Sequence, residues 1–181
     1  MKRHQPRHLY LDNQIYFLTS HTYRDRFHLG NIEKSLLCTT IKCVFKEYGF
    51  QIYGWVILPN HYHLLFNVSK AASLGRVIGT IHGGFTYKIN RQESLRGRKI
   101  WQNYWDWRIR DEEDFYKHLN YIHHNPVKHG LATDMSEYEF SSFNSWVKKE
   151  GSEWVMSLFE QYPIKDFTVK AELTLQSFIK G

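Results

Sequence analysis

The sequence has little cysteine and no long apolar run. Its 181 residues include two cysteines, Cys38 and Cys43, whose spacing in a helical pattern fits neither a zinc knuckle nor a disulfide framework. No run reaches about 18 apolar residues, the length of a membrane-spanning helix, and the basic stretch 1–8 lacks the apolar core of a signal peptide. We therefore expect one soluble, unprocessed domain, with at most a short appendage, in a reducing cytoplasm.

Positive charge is in modest excess, with 24 Lys and Arg against 18 Asp and Glu. The excess is concentrated in residues 1–7, 91–99 and 108–110, and aromatic residues make up 17% of the chain. Cations interleaved with aromatic rings are typical of proteins that bind single-stranded nucleic acid. Many proteins with a similar charge bind no nucleic acid, so charge alone leaves the partner open.

Hydrophobic periodicity predicts the order strand, helix, strand, strand, helix, strand, helix. The first strand, 14–23, has bulky residues on both faces, which is typical of a central strand. The first helix should start at Asn31 as N-cap and end at Gly49. The remaining predicted elements are strands at 51–58 and 61–68 around a Pro59–Asn60 turn, a linker at 69–73, a helix at 74–89, a basic loop at 91–99, an aromatic segment at 100–109 ending in a strand, a helix at 110–125 that Pro126 either stops or follows after its last turn, a short helix at 138–147 and a weak helix at 165–179.

Gly83 and Gly84 interrupt the apolar stripe of the second helix. Each glycine costs about 1 kcal/mol relative to alanine inside a helix. The pair predicts either a break in this helix or a place where something approaches it closely.

Two histidines, His61 and His63, open the second strand of the predicted hairpin. Alternation along a strand points both to one face and Tyr62 to the other. Two imidazoles held by a rigid hairpin favour a divalent metal site, but two ligands are too few to define one. Half-buried strand histidines that bond to their neighbours would give the same pattern, so a third ligand or reactive group is needed.

Tyr121 lies one helical turn before Asn125 in the third helix. A single tyrosine in an amphipathic helix is most often a surface residue, and its position alone predicts no chemistry.

Three stretches of the chain together resemble the single-tyrosine HUH transposases, in particular the REP-associated tyrosine transposases. They are Leu58-Pro-Asn-His-Tyr-His-Leu-Leu-Phe, Trp101-Gln with Arg108-Ile-Arg-Asp-Glu-Glu-Asp-Phe, and Tyr121-Ile-His-His-Asn-Pro-Val-Lys-His-Gly-Leu. The resemblance covers about residues 15–143. It implies an α+β fold with a ferredoxin-like central antiparallel sheet, helices packed on it, and the HUH motif on a central strand. It also implies a catalytic domain at 1–150, and leaves 151–181 as a C-terminal extension of unknown role.

The resemblance further implies cleavage and rejoining of single-stranded DNA beside palindromic hairpins, through a 5′-phosphotyrosine. By position, His61, His63 and Asn125 would be the metal ligands and Tyr121 the nucleophile. Insertion-sequence relatives typically have glutamine where this chain has Asn125. Mn²⁺ suits two imidazoles and an amide, and Mg²⁺ is abundant in cells, so either ion is expected. The residues expected to bind DNA are Arg91, Arg96, Arg98, Lys99, Arg108, Arg110, Lys117 and Lys128.

Such an enzyme would act in the cytoplasm, at the nucleoid, as a monomer or homodimer. A histidine-triad nucleotide hydrolase is a poor alternative, because Leu65 stands where a third alternating histidine is required. A domesticated relative that binds structured single-stranded DNA or RNA without cutting it remains an alternative, since the same loops and aromatic residues would serve it.

Overall fold

The computed structural model describes residues 11–25, 27–69 and 74–164. Four strands and five α-helices follow one another along these residues, together with two 3-10 helices, Tyr23–Asp25 and Met135–Glu137. The bounds are β1 Gln14–His21, α1 Asn31–Tyr48, β2 Gln51–Ile57, β3 His61–Val68, α2 Leu74–Gln92, β4 Trp105–Arg108, α3 Glu112–Lys128, α4 Phe143–Glu150 and α5 Ser152–Gln161.

The four strands form one antiparallel sheet in the order β2-β3-β1-β4. Helices α1 and α2 cover one face, where Phe45 of α1 contacts Phe66 and His82 of α2 bonds to Tyr62. Helix α3 covers the other face and brings Leu119 against β2. The expected ferredoxin-like α+β fold, with the histidines on a central strand, is therefore confirmed.

The two central strands are buried on both faces. In β1, the consecutive residues Tyr16, Phe17 and Leu18 are all buried, and their side chains alternate between the two helical layers. Because each face has its own cover, β1 has no polar side, as its sequence predicted. The strand ends at His21, two residues earlier than predicted, where the chain turns into a 3-10 helix.

The N-cap of helix α1 lies one residue earlier than predicted. Gly30, in an extended conformation, is the N-cap, and Asn31 is the first helical residue, so the prediction of an Asn31 cap is wrong. Gly49 ends the helix as predicted, with a left-handed φ of 69° that favours glycine. Helix α2 is unbroken through Gly83 and Gly84, so the predicted break does not occur.

Helix α3 continues past the proline that was expected to stop or follow it. Asp111 caps its start by accepting a hydrogen bond from the Asp114 N–H at 2.8 Å. Pro126 lies in the last turn, where its missing N–H removes one bond, and the His129 N–H still donates to the Asn125 carbonyl at 3.0 Å. The helix therefore reaches Lys128, and the prediction that it ends before Pro126 is wrong.

The predicted helix at 138–147 is only half present. Residues 138–142 instead run along the edge of β2, where the Ile57 N–H donates to the Phe140 carbonyl and the Ser142 N–H donates to the Trp55 carbonyl, both at 2.9 Å. Pairing with β2 satisfies backbone groups that a helix would have bonded internally, so α4 begins only at Phe143.

Helix α5 was not predicted. It lies within residues 151–181, the expected C-terminal extension. It packs against α3 because the Asn120 amide donates to the carbonyls of Leu158 and Tyr162, each at 2.9 Å. The predicted helix at 165–179, the basic stretch 1–7 and most of the linker 69–73 lie outside the described residues. Among the described helices, none is long and apolar enough to cross a membrane.

Close packing of α3 on the sheet depends on Gly54 in β2. A Cβ atom at this position would lie 2.7 Å from Leu119 Cδ1 and 3.6 Å from Ile122 Cδ1, both on buried side chains of α3. The missing side chain therefore lets the helix approach the strand.

We expect Gly54→Val to destabilise the protein by about 1–3 kcal/mol, as overpacking of a well-filled core does. Valine is otherwise favoured in strands, so a gain in stability would contradict this role for Gly54. Gly79→Ala is the control, because its Cβ would meet nothing within 4 Å, and it should raise stability by up to about 1 kcal/mol. Urea unfolding of the three proteins measures both effects.

Candidate metal and nucleophile site

The register of the sheet gathers the two histidines with residues of β1. His61 pairs with His21, and His63 pairs with Thr19, so all four side chains point to the α3 face. The imidazoles of His61 and His63 lie with ring centroids 5.0 Å apart and planes at 78°. The predicted shared face of the two histidines is thus present in the fold.

Hydrogen bonds orient both imidazoles. His61 Nδ1 lies 2.7 Å from Asn60 Oδ1, and His63 Nδ1 lies 2.7 Å from Thr19 Oγ1. An amide oxygen only accepts, so His61 carries its proton on Nδ1 and has the lone pair on Nε2. In metal sites, a hydrogen bond from the ring nitrogen that does not bind the metal holds the histidine in the correct orientation.

Both histidines are neutral at physiological pH. Burial, then the nearby His21 and His129, lowers the pKa of His61 to about 3, and the Asn125 side chain opposes this shift. Burial, then His61 itself, lowers the pKa of His63 well below its usual value. Neutral imidazole is the form that binds metal.

Asn125 is fully buried on α3 and close enough to His61 to act on its pKa. Neither Asn125 Oδ1 nor Nδ2 makes a hydrogen bond of normal geometry, and the same is true of His63 Nε2. Buried polar atoms in proteins are nearly always bonded, so these atoms of Asn125 and His63 are candidate ligands of a divalent ion. In the described part of the chain no group of three or more His, Cys, Asp or Glu forms a metal site, and the third ligand here would be an amide.

Tyr121 faces the same cluster from α3. It is 1% exposed, which excludes a surface tyrosine, and its ring centroid lies 5.3 Å from that of His63. Lys128, two turns later, holds its Nζ 5.4 Å from the centre of the Tyr121 ring. Tyr121, Asn125 and Lys128 thus share one helix face, and the continuation of α3 through Pro126 brings Lys128 there.

The predicted DNA-binding residues fall into two groups. Arg98 is bound to Glu93 at 2.7 Å, Arg110 to Asp114 at 3.1 Å, and Lys117 to Glu113. These cations therefore hold the fold together locally as well as contributing charge. Arg91, Arg96, Lys99 and Arg108 are exposed, as are the ion-paired Arg110 and Lys128, whose Nζ lies over the Tyr121 ring.

Sequence reasoning missed two histidines of the cluster. His21 stacks on His61 with ring centroids 4.8 Å apart, and His129 lies 5.1 Å from His61. The antiparallel pairing of β1 with β3 would have identified His21. His129 could not be placed while α3 was expected to end at Pro126.

Tyr62, between the two histidines, anchors the hairpin on the opposite face. Its hydroxyl lies 2.8 Å from His82 Nε2, and Ser20 Oγ lies 3.3 Å from the same nitrogen. Burial raises the pKa of Tyr62 and lowers the pKa of His82 to about 3. Both groups are therefore neutral, and the pair ties β3 to α2.

A ferredoxin-like sheet with a His-hydrophobe-His strand beside a helix tyrosine is the arrangement of HUH-type tyrosine transposases. The family described as Transposase IS200 like matches residues 11–125, and the chain belongs to this family. The prediction that it is an enzyme, a tyrosine transposase, is confirmed by this match and by its relatives.

Two relatives are REP-associated tyrosine transposases, the group that the sequence resembles. A REP-associated tyrosine transposase of Escherichia coli strain K12 is 29% identical over 143 residues, which cover 76% of this chain and 81% of the relative. A solved structure of a REP-associated tyrosine transposase bound to a REP hairpin is 28% identical, with a TM-score of 0.73, and the match covers 83% of this chain and 88% of that one.

The low pKa of His82 predicts acid sensitivity. The unfolded chain binds a proton at this histidine below about pH 6.5, whereas the folded protein does so only near pH 3, so stability falls as pH drops through this window. We expect His82→Gln to reduce the loss of unfolding free energy between pH 7 and pH 5 by about 2 kcal/mol. His28→Gln, at an exposed position, should leave the loss unchanged. Urea unfolding at both pH values measures this, and equal losses in wild type and His82→Gln would contradict it.

Proposed function

We propose that this transposase is a metal-dependent single-stranded DNA endonuclease and strand transferase that cuts beside palindromic hairpins, with Tyr121 as nucleophile. The observation that carries the proposal is the position of Tyr121, buried against His63 and next to Lys128. A structural tyrosine in a core has no need of a cation and a neutral imidazole beside it.

His61, His63 and Asn125 would hold the divalent ion, Mg²⁺ or Mn²⁺. Two oriented neutral imidazoles and a buried amide oxygen are compatible with Mn²⁺, and the ion supplies charge stabilisation for the phosphate and the leaving 3′ oxygen. In the sense of hard and soft ligands, the amide oxygen of Asn125 is harder than the two imidazole nitrogens, and Mg²⁺ prefers such oxygen ligands.

The chemistry of Tyr121 is an exchange of one phosphoester for another. Its oxygen forms a bond to phosphorus, the bond to the 3′ oxygen breaks, and the phenol proton is transferred in exchange to give a free 3′ hydroxyl. The positive charge of Lys128 beside the ring would stabilise negative charge that develops on the Tyr121 oxygen during attack. Lys117, another lysine of α3, is already paired with Glu113.

The 5′-phosphotyrosine keeps the energy of the broken ester. A second 3′ hydroxyl can therefore attack it, which joins two strands and restores Tyr121 without ATP. Cleavage and joining are one reaction in two directions.

Hairpin DNA is the proposed partner, because the solved relative is bound to a REP hairpin. The exposed cations Arg91, Arg96, Lys99 and Arg108 would neutralise phosphates. A monomer or homodimer acting at the nucleoid is consistent with this partner.

One observation favours the non-catalytic alternative, a binder of structured single strands. His61, His63 and Tyr121 are at most 4% exposed, so a phosphate reaches them only if the site opens. A site that never opened would leave DNA binding without cleavage.

Tyr121→Phe removes one oxygen and keeps the ring and its packing. We expect the covalent protein–DNA adduct and all strand joining to disappear, while affinity for a hairpin oligonucleotide changes by less than about twofold. Tyr116→Phe, on the same helix, is the matched control and should form the adduct normally. Denaturing electrophoresis of a labelled hairpin with Mn²⁺ detects the adduct. An adduct in Tyr121→Phe would assign the nucleophile elsewhere, and none in wild type would favour the binder.

His63→Ala tests the metal site. We expect Mn²⁺ binding to weaken by at least about tenfold in calorimetric titration, because one of three ligands is lost. His28→Ala, an exposed histidine, should bind Mn²⁺ as wild type does. Equal Mn²⁺ affinity in His63→Ala and wild type would show that His63 does not bind the metal.

A further inference from the structure

An open groove of about 430 Å³ lies beside α2, on the face of the sheet opposite the metal ligands. Its lining includes His82, Gly83, Tyr87, Lys99, Trp101 and Gln102. None of these residues takes part in the chemistry proposed for Tyr121.

The groove is at the same end of the sheet as the candidate site. The Gln102 N–H donates to the His21 carbonyl at 2.9 Å, and His21 is the strand partner of His61. Tyr62, whose neighbours in sequence are the two histidines, bonds to His82 in the groove wall. A DNA strand that leaves the site around this edge of the sheet therefore arrives at the groove.

The groove combines aromatic surface with positive charge. The aromatic surface is that of Tyr87, which is 65% exposed, whereas Trp101 is only 5% exposed and stacks on His82 beneath the groove with ring centroids 4.7 Å apart. Lys99 is exposed, with its Nζ 4.7 Å from the centre of the Tyr23 ring, which Arg24 also contacts. Among the residues that the structure describes, no acidic side chain lines the groove. A flat aromatic base with an adjacent phosphate fits such a surface, because bases stack on rings and phosphates pair with cations.

Gly83 has no packing reason to be glycine. A Cβ there would meet nothing within 4 Å, so an alanine would fit and would favour the helix by about 1 kcal/mol. Glycine instead leaves the backbone of α2 open on the groove side. This is the feature expected where a ligand approaches a helix closely.

We infer that the groove binds a nucleotide of the single-stranded DNA flanking the cleaved bond, with its base against α2 at Gly83 and Tyr87 and its phosphate at Lys99. That this nucleotide belongs to the DNA strand that the enzyme cuts and joins rests on the proposed function. The groove itself is distinct from the residues that would cut the DNA.

Gly83→Ala tests the inference with a variant that should fold at least as well as wild type. The probe is a fluorescein-labelled single strand of about ten mixed-sequence nucleotides, followed by anisotropy. We expect Gly83→Ala to weaken binding by at least about fivefold, which corresponds to the loss of one stacked base. Gly84→Ala is the matched control, because its Cβ also meets nothing within 4 Å but it does not line the groove. It should bind as wild type does, and both variants should melt no lower.

Lys99→Gln tests the phosphate contact separately. The slope of log affinity against log salt should fall by about 0.7, the value for one phosphate on a single strand, and Lys88→Gln, an exposed lysine of α2 outside the groove, should leave it unchanged. Wild-type affinity in Gly83→Ala, or an unchanged slope in Lys99→Gln, would overturn the inference. Because anisotropy requires no cleavage, a wild type that forms no adduct would refute the proposed chemistry without altering this result.

Discussion

The antiparallel pairing of β1 with β3 is the interaction on which the rest of this structure depends. It sets His21 opposite His61 and Thr19 opposite His63, and so determines which side chains surround the two histidines of the hairpin. A slip of one residue would turn the histidines toward α1 and α2 and Tyr62 toward α3. Both strands are buried on both faces, so neither face offers a polar side on which a slipped register could be tolerated.

Docking of α3 completes the site, and it creates a conflict between stability and chemistry. Gly54 allows the helix to lie close to β2, and the helix then buries Asn125 and Tyr121 against the histidines. A buried polar atom without a hydrogen bond of normal geometry, such as His63 Nε2, costs about 1–3 kcal/mol. Such costs are typical of functional sites, where local stability is lost and the surrounding core compensates.

The end of the sheet where His21 pairs with His61 has different properties on its two faces. On the α3 face, His61, His63 and Tyr121 are buried beside His21 and the exposed His129, and this cluster is the proposed site for an ion and a phosphate. On the α2 face, Tyr62 and His82 support an open, basic groove. Alternation of side chains along one strand is the physical link between them, because consecutive residues of β3 serve opposite faces.

The amino-acid sequence by itself determined the order of the strands and α-helices from β1 to α3, the central strands and the shared face of His61 and His63, because periods of 2 and 3.6 residues follow from local backbone geometry. It also placed Tyr121 one turn before Asn125. Tertiary structure decided what local rules cannot: whether α3 passes Pro126, where residues 138–142 pair, and which cations remain exposed. His129 and His21 joined the site for the same reason, since their distances to His61 depend on packing between segments that are far apart in the chain.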